Sequence, residues 1–226
     1  KYLESHKINL EKFQNTEIEV DFNDFVNPTT LPTMDENVLM CQTGYLTLKS
    51  VISSNRATVL LGFANREVSS ALSRLLSYRF FTRQVEIYTY DNVNLLENCS
   101  AEKLIDLLNS VLAAVVYDNY PIDSEAVLRA LLQFYFMGKG VEVIAEQHNS
   151  KGRSDLLINL KNRRIVLELK FSADGKNSEA LLKDAVNQIE DKEYGIENLG
   201  SRELLKIACV FNGETKVRKI ISFKTV

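Results

Sequence analysis

Apolar and polar residues alternate most cleanly between Gly152 and Phe171. A hairpin turning at Lys161-Asn162 puts Leu156, Ile158 and Leu160 on one face with Ile165, Leu167, Leu169 and Phe171. The opposite face then carries Arg153, Asp155, Leu157, Asn159, Arg164, Val166, Glu168 and Lys170. The same register sets Asp155 directly opposite Glu168 and Arg153 opposite Lys170. Opposed Cβ atoms lie about 4.5–5.5 Å apart, so two carboxylates there repel unless something positive sits between them. Two readings stand on the residues alone. Either the face is solvated and Arg153, Lys161 and Arg164 neutralise the acids, or the paired carboxylates are a site for a hard cation such as Mg²⁺ or Mn²⁺.

Periodicity outlines the elements around this hairpin. Upstream, Pro121 and an N-cap at Asp123 or Ser124 begin a helix at Glu125. Ala126, Val127, Ala130, Leu131 and Phe134 form its predicted buried face, and Gly138-Lys139-Gly140 ends it. A strand follows at Val141–Ala145, giving way near His148. Downstream come two strands, Leu204–Phe211 and Lys216–Phe223, with Asn212-Gly213 as their turn.

The first hundred residues read differently. An irregular loop around Pro28 and Pro32 precedes a helix from Asp35 to Gln42. Strands Tyr45–Leu48 and Ala57–Leu61 flank a turn at Ser53-Ser54-Asn55, and a helix runs from Glu67 to Tyr78. This helix/hairpin module resembles a winged helix or an ATPase lid. An apolar-rich helix from Ala101 to Val116 bridges the two regions and breaks before Pro121. The expected organisation is therefore a module over 1–100, a bridge over 101–120 and a second domain over 121–226.

Asp155 and the Glu168-Leu169-Lys170 triplet resemble the signature of the PD-(D/E)XK nucleases, with Ser154 in place of the usual proline. The resemblance implies a mixed α/β, restriction-endonuclease-like fold with an αβββαβ core and a central mixed sheet. It implies that Asp155, Glu168 and the backbone carbonyl of Leu169 hold Mg²⁺ or Mn²⁺, and that Lys170 serves the attacking water or the phosphate. Glu125 and Gln188 are the implied helix-borne members of the site, while Tyr194 reads as a packing residue. More narrowly, Cys41–Thr47, Asn65–Val68 and the Gln188…Tyr194 run resemble a bacterial family joining an AAA-ATPase-like domain to a C-terminal nuclease domain, with Ala64 replacing a usual proline. On that resemblance the chain is the C-terminal part of a longer protein beginning upstream of Lys1. There is no Walker A sequence, so the nucleotide-binding part would lie in that missing segment.

Composition narrows the class. The chain has 226 residues, 45% of them hydrophobic, and contains no run long enough to span a membrane, which fits a cytoplasmic protein. Cys41, Cys99 and Cys209 are too scattered for a disulfide framework, and with His6 and His148 they give no zinc spacing. The net charge of −3 divides into −5 for residues 1–120 and +2 for the remainder. Lys151, Arg153, Lys161, Arg163 and Arg164 crowd the hairpin and could contact nucleic-acid phosphates, although a solvated hairpin tip looks the same in sequence. Three classes of function remain open: a metal-dependent deoxyribonuclease, a catalytically silent DNA-binding module, and a regulatory or assembly region of an ATPase.

Overall fold

A computed structural model of the chain describes residues 18–27, 30, 33–53, 57–82, 91–149 and 152–226. Most of the irregular loop around Pro28, the tip of the turn at 54–55, His6 and Lys151 lie outside the described residues. The N-terminal region holds β1 (Ile18–Asp21), α1 (Phe22–Val26), α2 (Glu36–Gln42), β2 (Leu46–Ser53), β3 (Ala57–Phe63) and α3 (Arg66–Phe80). Asp35 and Asn65 cap α2 and α3 through their side-chain oxygens, as short polar residues at helix starts do. The expected two-stranded hairpin is a three-stranded sheet in the order β1-β3-β2. Strand β1 has no counterpart among the expected elements. Its alternate residues Ile18 and Val20 are buried, and only four residues carry the pattern.

Two helices follow: α4 (Asp91–Asn98), which has no expected counterpart, and α5 (Ala101–Ala113), the bridge. The C-terminal region contains α6 (Glu125–Gly138), β4 (Glu142–Asn149), β5 (Gly152–Asn159), β6 (Arg163–Ser172), α7 (Ser178–Lys192), β7 (Glu203–Asn212) and β8 (Lys219–Thr225). Its five strands form one sheet in the order β4-β5-β6-β7-β8. Only β6 and β7 run parallel, joined across α7, and the other neighbours are antiparallel. This is the mixed, restriction-endonuclease-like α/β architecture.

Both faces of that sheet are covered. Leu156, Ile158, Ile165, Leu167 and Leu169 join α6 in the main core. Leu157, Val166 and Ala208 pack under Ala185, Val186 and Ile189 of α7, together with Tyr194. The face that bears the charged residues of the hairpin is therefore half-covered by a helix. The main core is continuous across the boundary expected near residue 100, from Val20 and Leu72 to Leu131 and Ile220. Helix α3 packs along α6, where Arg74 Nε donates to the Gly138 carbonyl at 3.1 Å and Arg66 donates to that of Gly140. The bond to Gly138 satisfies a carbonyl that the end of α6 leaves without a helical partner, and the bond to Gly140 ties down the turn that follows.

The Asn212-Gly213 turn differs from expectation. Asn212 pairs with Lys219, so residues 213–218 form a six-residue loop and β8 starts three residues later than predicted. Gly213 N instead donates to Ser172 O at 2.8 Å. A Cβ at Gly213 would lie 2.7 Å from the Phe171 ring, so the glycine serves close approach to β6 and not a tight hairpin.

Candidate active site

The β5–β6 hairpin has the predicted register. Leu156, Leu157, Ile158 and Asn159 face Leu167, Val166, Ile165 and Arg164 across a two-residue turn at Lys161-Asn162. The paired ladder stops at Leu156, and β5 separates from β6 at Asp155. A side chain takes over the ladder's role there: Asp155 Oδ2 accepts the Leu169 N–H at 2.8 Å. The other oxygen, Oδ1, accepts from Arg129 Nη1 at 2.9 Å, and both side chains are buried. This opening in the sheet holds the candidate site.

Four groups meet beside it. Lys170 Nζ lies 3.4 Å from Glu168 Oε1, 3.1 Å from Gln188 Oε1 and 3.8 Å from Glu125 Oε2. Three elements supply them: β6 gives Glu168 and Lys170, α7 gives Gln188, and the first turn of α6 gives Glu125. Ser124 caps α6 by accepting the Val127 N–H at 3.3 Å, which fixes where Glu125 projects.

The electrostatics are those of a crowded acidic pocket. Glu168 is only 2% exposed, and its Oε2 has no hydrogen-bond partner among the described residues. Burial, and then the neighbouring Asp155 charge, push the Glu168 carboxyl up to about 8. The same two causes raise Glu125. Beneath them the fully buried Cys209 thiol is raised by burial and by the charges of Asp155 and Glu168. A buried carboxylate oxygen with no donor is costly unless something positive reaches it.

Among the described residues no three His, Cys, Asp or Glu side chains already meet as a metal cluster. The available donors are carboxylate oxygens, and the unpartnered Oε2 is one of them. Asp155 uses one lone pair on each oxygen for Arg129 and Leu169, which leaves acceptor capacity on both. Such a set fits a hard divalent cation completed by backbone carbonyl and water oxygens, and it does not fit zinc.

Arg129 is the member that pattern reading missed. It falls four residues after Glu125 on α6, within a stretch buried almost all round, and is 6% exposed. Residues at that spacing share a helix face. A lone arginine in the otherwise apolar run Ala126–Leu132 was the available signal. Gln133, one turn further along the same stripe, is also buried.

The expected phosphate-contacting cluster is dispersed. Arg163 is buried, donating to Cys99 O and forming a two-pronged pair with Glu203, Nη2 to Oε1 at 2.9 Å and Nε to Oε2 at 3.2 Å. Arg164 is buried too, bonded to Asn159 Oδ1 at 2.7 Å and to the carbonyls of Gly195 and Glu197. These two arginines anchor the strand and the loop after α7, and their donors point inward. Lys161 is exposed at the hairpin tip, six residues from Asp155 and so roughly 20 Å along the strand. Lys151 and the side chain of Arg153 lie outside the described residues.

Residues 123–220 match the family model of the PD-(D/E)XK nuclease superfamily. This segment is nuclease-like. The match begins just before α6 and runs into β8, so it takes in every element that contributes to the site. No curated protein matches the chain. Among the described residues no helix is long and apolar enough to cross a membrane.

Proposed function

We propose that residues 121–226 form a divalent-metal-dependent nuclease domain that hydrolyses phosphodiester bonds of DNA. The observation that carries this reading is the convergence of Glu125, Asp155, Glu168 and Lys170 on one opening of the sheet, with a buried Glu168 oxygen that has no partner among the described residues. Asp155, Glu168 and the Leu169 carbonyl are the groups that would hold Mg²⁺ or Mn²⁺. Such a cation supplies Lewis acidity at the scissile phosphate and lowers the pKa of a bound water.

The other residues have roles of their own. Arg129 and the Leu169 N–H fix the Asp155 carboxylate from two sides, so its orientation precedes any ligand. Gln188 and Glu125 hold the Lys170 ammonium between them, close to Glu168. From there Lys170 can orient the attacking water or stabilise charge that grows on the phosphate oxygens. Work in concert with an upstream AAA-ATPase-like domain belongs to the same reading and rests on the resemblance of segments 41–47 and 65–68. Helices α3 and α6 share one core, so the segment at 65–68 packs against the nuclease-like region.

Incubating the protein with plasmid and linear DNA, with and without Mg²⁺ or Mn²⁺, tests the proposal. Cleavage that needs the cation and disappears in Glu168→Ala and Lys170→Ala is the expected result. Cation-independent cutting, or cutting that survives both substitutions, would place the activity elsewhere.

A further inference from the structure

With Arg163 and Arg164 turned inward, a run of positive charge in the C-terminal region, with three exposed lysines, lies at the β8 edge of the sheet. The loop and strand β8, residues 213–226, contain Lys216, Arg218, Lys219 and Lys224 against a single acidic residue, Glu214. None of these four forms an ion pair among the described residues.

The strand register places them. Glu168 is level with Ala208 of β7, and Ala208 with Lys224 of β8. Ser172 is level with Asn212, and Asn212 with Lys219. Partners across a ladder point to the same face. Lys219 and Lys224 therefore stand on the face that bears Glu168 and Lys170, two strands away, or about 10 Å at the usual strand spacing. Loop 213–218 leaves β7 at the end of the sheet where β6 finishes, just beyond Lys170. Within it Arg218 adopts a left-handed backbone (φ 40°), and its guanidinium lies 4.0 Å from the Tyr117 ring centroid. A non-glycine residue held in that region is over-determined by its surroundings, here by the stacking on Tyr117. Lysines on an edge strand also discourage unwanted strand pairing, which accounts for Lys219 and Lys224. Lys216 and Arg218 precede the strand and need another account.

We propose that β8 and the loop before it form a track for consecutive phosphates of a nucleic-acid strand whose scissile bond lies at the Asp155–Glu168 site. The proposal rests on the nuclease reading above and adds where the substrate runs. Backbone phosphates are the chemistry such a track recognises, so it carries little sequence preference.

The test uses the full chain with Lys216→Glu, Lys219→Glu and Lys224→Glu combined, all at exposed positions. A second variant, Lys49→Glu with Lys103→Glu, changes exposed charges elsewhere, and circular dichroism checks that both fold. Fluorescence anisotropy against single-stranded DNA, duplex DNA and RNA of one sequence, without divalent cations, is measured over a salt series. The triple variant should bind at least about tenfold more weakly, with a salt slope shallower by roughly 2–3. The arm with the largest loss identifies the nucleic acid. Hydrolysis of bis(4-nitrophenyl) phosphate, too short to reach β8, should not change. Unaltered affinity and slope in the triple variant, or an equal loss in the control variant, would overturn the track. A wild-type chain that hydrolyses the small diester but binds no nucleic acid would overturn it while leaving the site intact. Failure to hydrolyse either substrate would count against the nuclease reading itself.

Discussion

The two ends of the β5–β6 hairpin hold similar numbers of charged residues and treat them in opposite ways. At the closed end the Lys161 and Asn162 N–H groups donate to Glu97, at 2.7 and 3.2 Å, Arg163 pairs with Glu203, and Arg164 is filled by an amide and two carbonyls. At the open end Glu168 Oε2 has no partner among the described residues, and Lys170 is shared by three side chains. Satisfied charges make a scaffold, because each donor already has its acceptor. Charges held in place with bonding capacity left over are poised to receive a ligand. The difference lies in the bonding around the residues and not in their types.

That contrast makes graded predictions. Removing Arg129 strikes both sides of it, since the residue is scaffold and part of the site. Arg129→Ala strips a buried carboxylate of its counter-ion and should cost about 3–5 kcal/mol in urea unfolding. Loss of the Lys170 ammonium should act more on chemistry than on stability, because Glu168, deprived of its counter-charge, can keep a proton. Lys170→Ala is expected to lower the DNA cleavage rate by about 100- to 1,000-fold while thermal unfolding shows a folded protein. At the closed end the pattern reverses. Arg164→Ala leaves the carbonyls of Gly195 and Glu197 without their donor and should destabilise by roughly 1–3 kcal/mol. The cleavage rate of the folded molecules should then stay at the wild-type level, and a rate collapse at unchanged stability would erase the distinction between the two ends.

The last prediction concerns pH. Glu168 titrates near 8 in the folded chain against an ordinary 4.5, so between those values the native state holds a proton that the unfolded state has released. Stability of the metal-free protein should be free of this penalty below pH 4.5 and should decline as pH rises towards 8. Thermal melts across that window should show the decline, and Glu168→Gln should flatten it. A melting temperature that climbs through the same window in the wild type, with the slope unchanged in Glu168→Gln, would contradict the assigned environment.

Much of this was legible in the sequence, and the failures share a cause. The alternation of Leu156, Ile158, Ile165 and Leu167 fixes a register, and a two-residue turn leaves no slack in it, so the pairing from Leu156 to Asn159 followed directly. The expected ladder pairs Asp155–Glu168 and Arg153–Lys170 do not form, because β5 leaves β6 there and the Asp155 side chain takes the Leu169 N–H. Glu125 was readable as the first residue of a capped helix. Arg129 was not, because a periodicity argument assigns buried positions to apolar residues and has no term for a buried ion pair. Arg163 and Arg164 were misplaced for the converse reason: basic residues beside a turn are taken as solvated, and their acceptors, Glu203 and the carbonyls after α7, lie some thirty to forty residues on. The Asn212-Gly213 pair looked like a hairpin because nothing local reveals that the Phe171 ring sits against the glycine.

The central claim is that the open end of the hairpin holds a divalent cation between Asp155 and Glu168. Anomalous diffraction from crystals soaked in Mn²⁺, collected for the wild type and for Glu168→Gln, tests it most directly. The account predicts a manganese peak within coordination distance of both carboxylates in the wild type and its loss or weakening in the variant. An empty opening at saturating Mn²⁺, or a peak bound elsewhere and indifferent to the substitution, would contradict it.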